Sequence, residues 1–302
     1  MRAPAEKSPN LPIEIGLLGL LAFLWGSSYL LVKVAVATIP PFTLISMRVG
    51  IAGLVLLIVM WGQGIRLPAD RETWRLMMIQ AFFAGVGPWT MVAWGQQYID
   101  SSLAGVLNST SPIFVFFITF FVTRHEAAGG LRLAGALLGF AGVVLIVGVD
   151  ALHGLGQEVV AQLAVLFAAM LYGVAAIHGK RFSHLSPTAT AAGTMICSTA
   201  CLLPLSLAVD RPWTLSPTPL ALLAAVALAI FSTGGALLIY YRLVRTLGSM
   251  GVASQAYLRM GMSVLLGVVV LGEQVTLVIG MGLLATILGV AAINMPGRKR
   301  KA

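Results

Sequence analysis

The 302 residues are 59% hydrophobic and only 10% charged, with a mean hydropathy of +0.96. That composition excludes a soluble domain of this length, which would aggregate, and points to a polytopic membrane protein with the lipid bilayer as its first partner. The formal net charge of +9 would suggest nucleic acid in a soluble chain. Here it reads as loop topology instead, and no nucleic-acid partner is expected.

A bilayer crossing needs about 20 mostly apolar residues. The N-terminal stretch MRAPAEKSPNLPIEIGLLGLLAFL carries Arg2 and Lys7 in the manner of a signal peptide. Its apolar run outlasts the roughly 7 to 15 residues of such a signal and is followed by further spans, so it reads as an uncleaved first helix. Breaks at Pro40-Pro41, Pro68 to Arg75, Asp100, Arg124 to Gly130, Asp150 to Glu158, Lys180 to Pro187, Asp210 to Pro219, Arg245 to Gly248 and Gly272 to Gln274 then divide the chain into ten spans. These cover roughly 13–37, 42–61, 74–97, 102–123, 130–149, 158–179, 188–209, 219–242, 249–271 and 275–295. The expected organisation is a tail over 1–12, five helices over 13–149, five more over 158–295, and a basic tail over 296–302.

Ten spans place both termini on one face. With that face in the cytoplasm, fifteen lysines and arginines lie inside, and only Lys33 and Arg211 fall clearly outside. Arg48 and Arg259 remain within spans and complete the 19. The expected location is therefore a bacterial inner membrane, multi-pass, with both termini cytoplasmic.

Sliding the chain along itself by 146 or 147 residues aligns Trp25-Gly26 with Tyr172-Gly173, Lys33 with Lys180, Pro41 with Pro187, Gly105-Val106 with Gly251-Val252, Glu126 with Glu273, Gly135 with Gly282 and Gly142-Val143 with Gly289-Val290. Five is an odd number, so the second half must enter the membrane from the opposite side. The expected fold is all-α, with ten transmembrane helices as two inverted five-helix repeats, a design suited to rocking between two openings.

The stretches LWGSSYLLVK, IPPFTLISMRVG, SSLAGVLNSTSPIFVFFITFF, RHEAAGGLRLAGALLGFAGVVLIVG and LGEQVTLVIGMGLLATILGVAAI together resemble the EamA branch of the drug/metabolite transporter superfamily over nearly the whole chain. That resemblance implies exporters and permeases of small metabolites, with aromatic amino-acid export as the nearest functional precedent. One departure is Leu258, which stands where the first repeat has Pro112, so a break in the fourth helix is not expected in the ninth.

Several positions suggest a central cavity. Trp25 and Tyr29 share one face of the first helix near its midpoint, with Gly26, Ser27 and Ser28 leaving room for a neighbour or a ligand; the alternative is an interfacial aromatic belt. In the fourth helix, Pro112 frees a backbone carbonyl beside Asn108, Ser109, Thr110 and Ser111, so that turn should face protein or water. In the ninth helix Gln255, Arg259 and Ser263 form a stripe near Ser254 and Tyr257. Arg259, about 15 Å into its span by helical rise, is a functional candidate because an intramembrane arginine is expensive. Its alternative is snorkelling to the interface, which is the preferred reading for Arg48, together with structural pairing. The expected substrate-binding set is Trp25, Tyr29, Trp94, Asn108, Ser111, Tyr172, Gln255, Tyr257 and Arg259, for a small-molecule substrate held by aromatic faces and a carboxylate-drawing arginine.

Enzyme signatures are absent, His125, His153, His178 and His184 do not cluster, and neither a cofactor nor a metal is expected. Cys197 and Cys201, four apart in an apolar helix, read as packing residues rather than a disulfide or metal pair. No acidic residue lies near a span midpoint, which favours facilitated movement over obligatory proton exchange. The leading expectation is thus an inner-membrane exporter of small organic metabolites, amino acids including aromatic ones, working by alternating access. The alternatives are a nucleotide-sugar or drug carrier of the same superfamily, and a membrane-embedded enzyme or non-transporting receptor subunit. The sequence leaves the oligomeric state open.

Overall fold

The computed structural model describes residues 11–123, 130–152, 156–253 and 255–294, and all of its regular structure is helical. Arg2, Lys7, Arg124, His125, Glu126, His153, Ser254 and the basic tail at 298–301 lie outside the described residues. Eight helices are long and apolar enough to cross a membrane: α1 (Leu11–Val36), α2 (Pro41–Gly62), α3 (Arg71–Gly95), α4 (Ser101–Phe121), α5 (Gly130–Val147), α6 (Gln157–Phe182), α7 (Pro187–Asp210) and α8 (Pro219–Leu247). Two shorter apolar helices, α9 (Gln255–Leu271) and α10 (Leu277–Ile293), complete the ten. The protein is a polytopic helical membrane protein of two inverted five-helix repeats.

Local chemistry fixes most helix starts. Pro40 is extended (φ −59°, ψ 153°) and Pro41 sits at the first helical position of α2, where a missing N–H costs nothing. Asp70, Ser186 and Thr218 cap α3, α7 and α8 by accepting from Thr73, Ala189 and Ala221 backbone N–H groups. α4 is interrupted at Ser109 and Thr110, ahead of Pro112, whereas α9 runs unbroken.

One expected boundary is wrong. No break occurs at Arg245 to Gly248, because the chain stays helical as far as Ala253 and α9 begins only at Gln255. The segment has no proline, a lone glycine costs a helix only about 1 kcal/mol, and Thr246 Oγ1 is tied to Glu14 Oε2 at 2.9 Å.

Bulky side chains such as Leu54, Ile58, Leu163, Leu223, Val269 and Leu284 point outward, as helices facing acyl chains require. Inside, glycines bring the two repeats into contact. A Cβ at Gly135 would lie 2.6 Å from Ala292 Cβ, and one at Gly142 would lie 2.7 Å from Gly282 O, so α5 and α10 touch backbone to backbone. A Cβ at Gly289 would likewise lie 2.7 Å from Gly139 Cα.

α3 and α8 share a further feature. Each contains one π-helical stretch, Phe82–Val86 in α3 and Ile230–Gly235 in α8, at equivalent places in the two repeats. Such bulges leave i→i−4 bonding for one turn and recur at functional sites.

Candidate functional site

A cavity of 280 Å³ lies where the repeats meet. α1 contributes Trp25, Ser28, Tyr29 and Val32, and α3 contributes Ala84, Trp89 and Val92. Arg48 enters from α2, Asn108 and Ser111 from α4, Tyr172 from α6, and Arg259 from α9. Ser232, Thr233 and Leu237 come from α8. Ala84, Ser232 and Thr233 belong to the two π-helical stretches, so the bulges form part of the cavity wall.

The polar contacts of the wall are specific. Asn108 Nδ2 donates to the Tyr29 hydroxyl at 2.7 Å, and the Asn108 Oδ1 is buried with no partner. Arg48, 8% exposed, donates from Nε to Thr233 Oγ1 at 2.9 Å and holds its guanidinium carbon 3.9 Å above the Trp89 ring. Thr233 in turn donates to Leu228 O, five residues back, which is the spacing of the π turn. Arg259 Nε is buried with no partner. Trp25 packs on Tyr240 with ring centroids 5.3 Å apart.

Six of the nine expected residues line this cavity: Trp25, Tyr29, Asn108, Ser111, Tyr172 and Arg259. Three do not. Trp94 is five residues past Trp89, on another face of α3, and packs on Tyr98 with centroids 5.2 Å apart. Tyr257 points away from Arg259 and donates to Val290 O on α10 at 2.9 Å. Gln255 is buried at the very start of α9, a turn short of the cavity. Sequence reasoning missed Arg48, Trp89, Ser28, Ser232 and Thr233. Of the two readings of Arg48, structural pairing rather than snorkelling is what the structure shows: it pairs with Thr233 and Trp89. The serines beside Trp25 also sort themselves: Ser28 reaches the cavity while donating to Trp25 O, and Ser27 donates to Leu24 O.

Two larger hollows join the cavity, and both lead to the face where α1 begins. One, of 630 Å³, shares Ala84, Trp89, Tyr172 and Leu237 with it and runs on past Gly179, Ser183 and Val244. The other, of 340 Å³, shares Ser111 and Tyr172 and runs to Arg132 and Lys180. At the opposite face, helix ends are drawn together by polar bonds. Lys33 Nζ donates to Gln96 O (2.9 Å) and Ile99 O (2.7 Å), satisfying carbonyls beyond the end of α3. Asp210 accepts from Thr43 N at 2.7 Å and Thr43 Oγ1 at 2.9 Å. Glu273 accepts from Ser101 N (2.7 Å) and Ser102 N (2.9 Å), so a carboxylate of one repeat caps the first turn of α4 in the other. Burial pushes Glu273 up, but the hydrogen bonds from Ser102 and Ser101 outweigh it and hold the group below the usual glutamate range. Asp100 beside it is pushed up by burial and by the Glu273 charge.

A cavity at the junction of inverted repeats, flanked by hollows toward one face and by polar bonds between helix ends at the other, is the arrangement of a membrane carrier. The sequence model of the EamA-like transporter family matches residues 13–148 and again 159–295. The chain belongs to that family, within the drug/metabolite transporter superfamily, and is a membrane transporter. Curated relatives include the uncharacterized transporter YoaV of Bacillus subtilis (strain 168), 24% identical over 92% of this chain and 95% of that one. Another is the uncharacterized inner membrane transporter YedA of Escherichia coli (strain K12), 25% identical over 86% of this chain and 84% of that one. Among solved structures, a crystal structure of a protein 21% identical to this chain superposes with a TM-score of 0.66 over 92% of this chain and 96% of the other, a likeness of fold.

Proposed function

We propose that the protein exports small amphipathic organic metabolites across a bacterial inner membrane by alternating access, with aromatic amino acids as the reference solutes and both termini in the cytoplasm. The observation that carries this reading is the composition of the cavity: Trp25, Tyr29, Trp89 and Tyr172 offer ring faces, and Arg48 and Arg259 offer guanidinium groups to a carboxylate. Its 280 Å³ suits a solute of amino-acid size better than a nucleotide sugar, being near the low end of the roughly 300–1,000 Å³ of ligand pockets. The excess of basic residues on the face where α1 begins supports the orientation, in which the hollows open to the cytoplasm. The inner-membrane setting is that of the YedA relative.

The test is counterflow in proteoliposomes, using phenylalanine, tryptophan and their deaminated analogues. Saturable exchange that is lost in Trp89→Ala is expected. Absence of exchange for every member of the panel, with protein correctly inserted, would remove this reading.

A further inference from the structure

We propose that the central cavity selects an organic anion: a small molecule with an aromatic or apolar body, one carboxylate or comparable anionic group, and no ammonium. The inference rests on the cavity being the transport site and narrows the solute from a zwitterion to an anion. Two arginines face it, from different repeats. Arg48 is more than nine-tenths buried, and its partners among the described residues are a neutral hydroxyl and an indole ring, neither of which cancels charge. Arg259 keeps a buried Nε without a partner. Among the described residues no aspartate or glutamate lines the cavity.

Charges held this deep are paired in folded proteins, because their desolvation is otherwise uncompensated. Among the described residues the protein supplies no anion for either guanidinium within the cavity, so the bound molecule is the natural source. An ammonium faces the reverse situation. It would enter a wall carrying two fixed positive charges, with ring faces and two neutral groups without a partner, the Ser232 hydroxyl and the Asn108 Oδ1 oxygen, as its compensation. A hydroxyl in the same position donates to that oxygen without bringing a charge. The geometry therefore favours a 2-hydroxy or otherwise deaminated acid over the amino acid of the same body.

Three probes with one benzyl body separate the cases: 3-phenyllactate (anion), phenylalanine (zwitterion) and phenethylamine (cation). Binding to the purified full chain by calorimetry should be at least tenfold tighter for phenyllactate than for phenylalanine, with no binding of phenethylamine. Arg259→Gln should remove at least tenfold of the phenyllactate affinity and a smaller factor from phenylalanine, whose ammonium loses a positive neighbour as its carboxylate loses a partner, and Arg259→Lys should restore part of the phenyllactate affinity. In proteoliposomes a tenfold potassium gradient clamped with valinomycin should redistribute phenyllactate about tenfold at equilibrium, since one charge moves with each molecule, and phenylalanine not at all. Phenylalanine binding as tightly as phenyllactate, or voltage-independent phenyllactate flux, overturns the inference while the carrier reading stands. Movement of none of the three overturns both. If Arg259→Gln does not fold, the wild-type ranking and the voltage response decide alone.

Discussion

Gly26 of α1 and Gly173 of α6, 147 positions apart, make equivalent contacts in the two repeats. A Cβ at Gly26 would meet Met262 Cβ of α9 at 2.7 Å, and a Cβ at Gly173 would meet Val115 N at 3.3 Å and Phe114 Cβ at 3.4 Å on α4. Met262 and Val115 are themselves 147 apart. The residues just before the glycines, Trp25 and Tyr172, both line the cavity, so each crossing fixes one aromatic wall. Gly26→Ala has to displace Met262 and should lower stability by about 1–3 kcal/mol, the usual effect of overpacking. Gly173→Ala should lose less, because its neighbours are a few tenths of an ångström farther off. Thermal unfolding in detergent checks the order, and equal losses would contradict it.

Thr233 has two bonds to make from one hydroxyl, accepting from Arg48 and donating to Leu228 O. Thr233→Val keeps the shape but strands the buried Arg48 Nε, at about 1–3 kcal/mol for an unpaired polar group. Transport should fall roughly tenfold or more, and Thr233→Ser should retain most of it. Equal flux in both variants would show that Arg48 does not depend on this anchor.

The ten helices were legible because lipid demands long apolar runs separated by polar or proline-containing breaks, and the repeat was legible because aligned residues such as Lys33 and Lys180 survive in one register. Cavity-lining residues that a regular helix would also present, such as Trp25 and Tyr29, could be read from spacing. Arg48 could not, because its distance from the start of α2 suggested an interfacial role while its partners come from α3 and α8. Trp94 was in the expected set and Trp89 was not: the π-helical stretch at Phe82–Val86 interrupts the regular period of α3, and a sequence period assumes there is none. The signal available was the arginine itself, seven residues inside a span with no acidic residue on the same helix.

Lys33 holds the closed face by donating to Gln96 O and Ile99 O, and charge-assisted bonds of this kind are worth about 1.5–3 kcal/mol each. Lys33→Met keeps the stem and removes the donors, so the population open at that face should rise by roughly tenfold or more. Spin labels at Gln97→Cys and Trp213→Cys, both exposed there, would report it as a longer-distance component in a background lacking Cys197 and Cys201. An unchanged distance distribution would show that the other contacts hold the face shut alone.

Glu273 gives that closure a pH dependence. Its folded-state pKa lies below the unfolded value, so its stabilising effect is present above the usual glutamate range and disappears as pH falls through the lowered value. Asp100, pushed up, acts with the opposite sign over the same acid range. Glu273→Gln should therefore lower the melting temperature at neutral pH and leave a smaller or reversed acid dependence, with wild type and variant converging once the pH has fallen through the lowered value. A constant difference between them from neutral pH into acid would mean that the capping bonds do not distinguish carboxylate from carboxamide.

Energy coupling follows from where the acids are. Glu14 is engaged by Arg242 and Thr246 at the face where α1 begins, and Asp70 caps α3. Asp100, Asp210 and Glu273 sit at the closed face, and among the described residues no acidic side chain lines the central cavity. His178 is committed through Nδ1 to Gln80 at 2.9 Å, and it does not line the cavity either. A carrier that exchanges its substrate for a proton needs a titratable group that both can reach in turn, and the cavity wall offers only guanidinium, hydroxyl, amide and phenol groups. A pH step imposed across proteoliposomes with the voltage clamped by an ionophore should therefore produce no uphill accumulation. Coupling to one proton would produce about tenfold per pH unit. Accumulation of that size would refute facilitated movement and make Glu14→Gln and His178→Gln the next variants to assay.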